Sequence, residues 1–172
     1  MNIDAEFDGI TLHEPTKDDG APLHTFVRIN PPLDMNSVYC NVLQCHHFSE
    51  TCIVAKKEGH IIGYVTGYRQ PKNPNVYFLW QVGVGQEGRG MGLATRMMQA
   101  ILARESCRGV TELQTTITKS NAPSRKLFAG FARKEGAEIT EEEAYFTREQ
   151  LGDHEAESLF RIGPLSTPLP AE

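Results

Sequence analysis

Gly88, Gly90 and Gly92 lie in the stretch Trp80-Gln81-Val82-Gly83-Val84-Gly85-Gln86-Glu87-Gly88-Arg89-Gly90-Met91-Gly92-Leu93-Ala94. An apolar run precedes these glycines and an amphipathic run follows them. Glycine lets a backbone turn tightly and approach a ligand without Cβ interference. The helix predicted after the turn points unpaired N–H groups and the positive end of its dipole into it. Strand, glycine-rich turn and helix N-terminus in this order form a corner suited to phosphate. The spacing excludes two common corners. No Lys-Ser or Lys-Thr follows the glycines, as a P-loop requires. A dinucleotide fingerprint begun at Gly88 and Gly90 would place its last glycine at Leu93. A plain glycine-rich turn is the alternative.

The elements that must position this corner follow from periodicity and capping. The 172 residues suffice for one domain with a core, and 40% hydrophobic and 23% charged content are ordinary for a globular chain. Thr16 caps a helix burying Leu23, Phe26, Val27 and Ile29, and Asn30-Pro31-Pro32 ends it. Leu33-Asp34-Met35-Asn36-Ser37 is a polar turn, and Asn36 or Ser37 caps a second helix running to about Phe48. Residues 51–55 and 60–68 pair as strands joined at Lys57-Glu58-Gly59. Val76, Phe78, Trp80, Val82 and Val84 alternate on one face of the next strand. The helix from Met91 buries Leu93, Met97, Met98, Ile101 and Leu102. A strand over 110–118, a helix capped by Asn121 with Pro123 in its first turn, and closing strands over 137–147 and 157–162 complete the order. Residues before about 15 read as loose, with Ile10 and Leu12 starting a strand. Residues 1–163 read as one domain and 164–172 as a disordered tail.

Net charge of −5 argues against nucleic-acid binding, and no apolar run is long enough to cross a membrane. Met1-Asn2-Ile3-Asp4-Ala5-Glu6 lacks the basic and apolar parts of a signal peptide, so a cytoplasmic location is expected. Cys40, Cys45, Cys52 and Cys107 form no disulfide framework, and Cys40 with Cys45-His46-His47 lacks the spacing of a metal site. No metal is expected.

The run Arg89-Gly90-Met91-Gly92-Leu93-Ala94 resembles the pyrophosphate loop of the GCN5-related N-acetyltransferases, and the order of elements matches that family over about residues 9–163. The resemblance implies an α/β fold of α+β type, with a mixed central sheet splayed in the middle and helices on both faces. It implies acetyl-CoA as cosubstrate. Val82, Gly83 and Val84 then pair with pantetheine. Arg89, Gly90, Met91, Gly92, Leu93 and Ala94 hold the pyrophosphate, and Asn121 and Ser124 make a second coenzyme A contact. Simple capping is the other reading of Asn121. Two residues depart from the family. Glu87 stands where Gln or Arg is commoner, and Phe128 where many relatives carry the tyrosine that protonates the leaving thiolate.

Further segments resemble the L-2,4-diaminobutyrate acetyltransferases of ectoine biosynthesis in order and spacing. They are Leu33 to Tyr39, Phe48 to Thr51, Val54-Ala55, Val65 to Arg69, Phe78 to Val82, and Thr115 to Thr118. That resemblance implies acetyl transfer to the γ-amine of L-2,4-diaminobutyrate and a homodimer. The substrate carries two ammonium groups and a carboxylate. Asp34, Asp153 and Glu155 are then candidates to grip ammonium, with solvated or capping acids as the alternative. Trp80, the only tryptophan, walls the substrate pocket or packs in the core. Either Thr115 or Thr116 faces the pocket, since strand neighbours point to opposite faces. The N–H of Val82 stabilises the oxyanion. Tyr39 either protonates the thiolate in place of Phe128, with water as a substitute, or anchors the core. Two rival readings remain: an acetyltransferase for another small-molecule or protein amine, and a non-catalytic acyl-CoA sensor.

Overall fold

In the computed structural model, which describes residues 3–166, the chain opens with a hairpin of β1 (Ile3–Phe7) and β2 (Ile10–His13). Asp8 and Gly9 join them at φ +50° and +74°, the left-handed pair that a two-residue hairpin turn requires. This corrects the loose N-terminus expected from sequence. The Asp-Gly signal was present, but polar composition masked it. Helices α1 (Gly20–Ile29) and α2 (Val38–His46) follow, then β3 (Ile53–Lys57), β4 (His60–Gln70) and β5 (Asn73–Val84). After the glycine turn come α3 (Leu93–Leu102), β6 (Glu112–Thr118), α4 (Ala122–Glu135), β7 (Glu138–Phe146) and β8 (Glu157–Gly163). The strands form a mixed sheet in the order β1-β2-β3-β4-β5-β6-β8-β7.

The chain forms two compact units, and β5 contributes to both. The first holds residues up to Tyr68 together with Trp80–Arg108. One face of its strands is covered by α1 and α2, through a core of Leu23, Phe26, Val27, Cys45, Val54 and Tyr64, whereas Ile29, expected on the same face, is the last residue of α1 and is exposed. The other face takes α3. A Cβ at Gly63 would lie 3.1 Å from Leu93 and 3.2 Å from Met97, and Gly63 and Tyr64, as strand neighbours, point to opposite faces. Arg104, just past α3, forms a two-pronged ion pair with Asp4 at 3.0 and 2.7 Å and donates to the Cys52 carbonyl at 2.6 Å. It thereby ties the first strand to the end of α3. Asp19, buried at the start of α1, pairs with Lys56 of β3 at 2.6 Å.

The second unit holds Arg69–Leu79 and the chain from Gly109. Within it β5 runs parallel to β6 from Val76 opposite Glu112 to Phe78 opposite Gln114. Strand β8 lies antiparallel between β6 and β7. Helix α4 buries Phe128, Phe131 and Ala132. It ends at Gly136, φ +64°, whose N–H bonds back to Ala132 and Arg133, a left-handed C-cap. Leu165 is buried and its N–H donates to the Thr111 carbonyl at 2.7 Å, so residues 164–166 belong to the fold rather than the tail. The remainder of the predicted tail, 167–172, lies outside the described residues.

The alternation expected along β5 is not what decides burial. Tyr77, Leu79 and Gly83 are buried beside Val76, whereas Trp80 is exposed. Both faces of this strand are covered in parts, which erases a period-two signal.

Candidate active site

The glycine turn of the first unit has two kinds of glycine. At Gly88 a Cβ would lie 2.6 Å from Leu93 and 2.9 Å from Val84, so the site is closed by packing. Gly90 and Gly92 have open space around them but sit at φ +79° and +68°, where a side chain costs about 1–2 kcal/mol. Gly92 starts α3, and no side chain caps this helix or places an acid in its first turn. The N–H groups of Leu93, Ala94 and the next residue therefore face the turn with no helical acceptor. Their partial positive charge suits an anion. Arg89 and Glu87 beside them are both exposed, and Met91 is half-buried. The turn is tied to β4 by the Gly85 N–H, which donates to the Ile62 carbonyl at 2.8 Å.

Five residues before the turn, the same strand carries a different kind of site. Gln81 Nε2 donates to the Asp34 carbonyl at 2.8 Å and pins the turn between α1 and α2 over β5. Leu33 packs beside it against Gly83 and Tyr64. Asp34 itself is exposed. Ser37 caps α2 by accepting the Cys40 N–H at 3.0 Å. Trp80 is 45% exposed and stands edge-on to Tyr68, ring centres 6.2 Å apart, and Tyr68 in turn meets Phe48 at 6.2 Å. Tyr39, in the first turn of α2, is 72% exposed and so is no core anchor. Asp34, Trp80, Val82, Gly83 and the glycine turn thus share one unit.

The second unit places the remaining candidates. Thr115 is 3% exposed and donates to the Leu79 carbonyl at 3.0 Å, just beyond the last β5–β6 pair. Its hydroxyl extends the strand pairing with a side chain. Thr116 donates to Glu157 at 2.9 Å. Glu155 accepts both the N–H and the hydroxyl of Ser120, at 3.0 and 2.6 Å. Those two bonds, hydroxyl first, hold its carboxyl below the usual range. They bring Glu155 to the residue preceding Asn121. Asp153 is exposed at φ +67°, its N–H donating to the Arg148 carbonyl at 2.8 Å. Asn121 caps α4 by accepting the Ser124 N–H at 3.2 Å. Phe128 is buried and offers no proton.

Sequence reasoning passed over Gln81, Ser120 and Tyr68, each of which fixes a candidate rather than being one. No spacing rule marks such residues. None of the four cysteines is in a disulfide. Burial pushes the thiols of Cys45 and Cys52 up to about 12, so neither is a nucleophile at neutral pH. Among the described residues no group of three or more His, Cys, Asp and Glu is placed to hold a metal.

A strand, an uncapped glycine turn at a helix N-terminus and a mixed sheet with helices on both faces define an acyltransferase class. The chain belongs to the acetyltransferase (GNAT) family, whose family model matches residues 23–131. It is similar to the L-2,4-diaminobutyric acid acetyltransferases of Methylotuvimicrobium alcaliphilum, 46% identical over 90% of this chain and 91% of that one, and of Halomonas elongata, 42% identical over 91% and 82%. Among solved structures it matches the diaminobutyrate acetyltransferase EctA from Paenibacillus lautus, in complex with its substrate L-2,4-diaminobutyric acid and coenzyme A. That match has a TM-score of 0.86 and 34% identity, covering 93% of this chain and 98% of that one. The likeness to Ard1 from Thermoplasma volcanium, TM-score 0.67 at 16% identity, is one of fold.

Proposed function

We propose that the chain transfers the acetyl group of acetyl-CoA to the γ-amine of L-2,4-diaminobutyrate, as in ectoine biosynthesis, by direct attack in a ternary complex. One observation carries the reading. The segment Trp80–Val84 of β5 leads from the aromatic and acidic group directly into the glycine turn. It spans roughly 13 Å at about 3.3 Å per residue. A diphosphate seated at Arg89–Ala94 lets an extended acyl arm lie along Val84, Gly83 and Val82, with its thioester at Trp80. Asn121 and Ser124 supply the second coenzyme A contact. The similarity to relatives named for this substrate supports the choice of amine.

The attacking amine must be neutral. With a reference pKa of ~10.4, as for lysine, neutralising it at pH 7.5 costs roughly 4 kcal/mol. A carboxylate on the reacting ammonium would raise that cost, and an apolar wall lowers it. Asp34 therefore holds the α-ammonium and Trp80 faces the γ-amine, with Asp153 and Glu155 as further candidates for the ammonium. Side-by-side binding of the two reactants offsets roughly 7 kcal/mol or more of the barrier. The Val82 N–H receives the oxyanion, a bond worth about 3 kcal/mol in the transition state. Tyr39, exposed at the mouth of α2, protonates the departing thiolate. Thr115 is the remaining candidate for a substrate contact, its hydroxyl held on the Leu79 carbonyl. The enzyme is a cytoplasmic homodimer in this reading. Its four cysteines, none in a disulfide, suit a reducing compartment. Exposed Ile139, Tyr145 and Phe146 on β7 are apolar groups a second copy would cover.

Thiol release with purified protein and acetyl-CoA tests the reading. Diaminobutyrate is expected to exceed ornithine and lysine in kcat/KM, with acetylation at the γ-nitrogen by mass spectrometry. A preference for another amine, or acetyl-CoA binding without turnover, overturns it.

A further inference from the structure

Four side chains of the first unit, Asn41, Gln44, Tyr64 and Thr66, are buried and each holds one polar atom without a hydrogen-bond partner. Asn41 and Gln44 satisfy each other once, at 2.9 Å, leaving a carbonyl and an amide over. Tyr64 and Thr66 leave their hydroxyls. Buried polar groups are nearly always paired, so each such atom asks for a partner. Tyr64 differs from the other three by what surrounds it. Its ring lies against the backbone of Gly83, where a Cβ would come within 2.6 Å of it and 2.8 Å of Leu33. Burial and then the negative charge of Asp34 push its phenol well above the ordinary value. The group therefore stays protonated and is a standing donor with no acceptor.

The acids of the candidate site suit ammonium groups and leave a substrate carboxylate unmet. Asp34 answers an ammonium group of an amino-acid substrate, but a carboxylate side chain cannot serve the substrate's own carboxylate. That carboxylate shares a carbon atom with the α-ammonium. A donor for it must therefore lie close to whichever acid grips the ammonium. Gln81 is already committed to the Asp34 carbonyl. The Tyr64 ring packs at Gly83 beside Leu33, the residue preceding Asp34, and the charge of Asp34 reaches its phenol.

We propose that the Tyr64 hydroxyl is a substrate-binding group that donates a hydrogen bond to the α-carboxylate of the amine substrate. The inference rests on the diaminobutyrate reading. It makes Tyr64 a determinant of specificity for amino acids over plain diamines.

The test uses full-length Tyr64→Phe and two amines, diaminobutyrate and 1,3-diaminopropane, the same diamine without the carboxylate. A hydrogen bond to a charged group is worth about 1.5–3 kcal/mol, which corresponds to roughly a 10- to 150-fold rise in KM for diaminobutyrate. KM for acetyl-CoA and kcat/KM for 1,3-diaminopropane are expected to stay within about twofold. Removing a buried hydroxyl that lacks a structural partner should leave Tm unchanged or raise it. Fluorescence of Trp80, the only tryptophan, titrated with diaminobutyrate, gives binding independently of turnover. Equal losses on both amines, a drop in Tm, or an unchanged affinity for diaminobutyrate overturns the inference while wild-type turnover keeps the underlying reading. Wild-type protein that neither binds nor acetylates diaminobutyrate overturns that reading, and the Tyr64 role with it.

Discussion

The two ends of the segment Trp80–Val84 are built by different means. At the glycine turn the main chain does the work: two left-handed glycines, one packed glycine and a bare helix N-terminus. At the other end side chains do it. Gln81 pins the Asp34 turn, Tyr68 sets the edge of Trp80, and Tyr64 fills the space that Gly83 leaves. The backbone end suits a ligand part that every member of an acyl-CoA family shares. The side-chain end suits the part that differs among them. Under the proposed function, recognition of the common cosubstrate and of the particular amine can then change independently, although one strand would carry both.

Separate responses to pH, the largest expected effect, would sharpen this comparison. Under chemistry-limited conditions kcat/KM for diaminobutyrate should rise close to tenfold per pH unit between pH 6 and 8, since only the neutral amine attacks and its reference pKa is ~10.4. Acetyl-CoA affinity, followed calorimetrically, should barely change over that range. A flat rate profile would contradict direct attack by the free amine. Asp34→Asn comes next. It removes the charge facing the α-ammonium and should raise KM for diaminobutyrate roughly 10- to 150-fold, with acetyl-CoA KM within about twofold. Comparable losses for both ligands would break the proposed independence.

Glycine substitutions act on the opposite end, and two neighbours should fail in different ways. Gly92→Ala places a side chain at φ +68° in open space. The strain of about 1–2 kcal/mol should weaken acetyl-CoA roughly 5- to 30-fold and leave the amine alone. Gly88→Ala meets Leu93 and Val84 instead. Overpacking of this kind costs about 1–3 kcal/mol, so it should appear first in the melting temperature. If Gly88→Ala and Gly92→Ala lowered acetyl-CoA affinity alike without a stability difference, the distinction between packed and left-handed glycines would fall.

The same contrast explains what could be read from sequence. Backbone-built features leave local signatures: the glycine spacing, Asn121 three residues before Ser124, Ser37 ahead of α2, and the 3.6-residue period of Leu93, Met97, Met98 and Ile101. These placed α3, α4 and the turn correctly, and with them the family. The Asp8-Gly9 hairpin carried a local signature too, yet the polar residues around it hid the strand β1. Side-chain-built features leave none. That Gln81 reaches Asp34, that Thr115 serves Leu79 and that Ser120 takes both oxygens of Glu155 depend on residues between 35 and 47 positions apart meeting in space. The alternation along β5 misled for a related reason, because a strand covered on both faces loses its period.

The smallest expected effect is a control outside both ends. Asp19 accepts the Thr16 N–H at 2.8 Å and pairs with Lys56 at 2.6 Å. Burial alone would raise its pKa, but Lys56 and the Thr16 N–H together hold it below the ordinary carboxylate value. A carboxyl whose folded pKa is depressed contributes stability above its unfolded pKa of ~3.9, and that stability fades as pH falls through the folded value. Asp19→Asn should therefore cost about 1–2 kcal/mol at pH 7, a fall of roughly 2–8 °C in Tm. The gap from wild type should narrow below about pH 4. Neither KM should move by more than about twofold, since α1 keeps its other contacts with β4 through Phe26 and Tyr64, ring centres 5.8 Å apart. A selective rise in KM for diaminobutyrate would instead mean that the amine end depends on how α1 is anchored. The side-chain-built region would then reach back from Asp34 to the start of that helix.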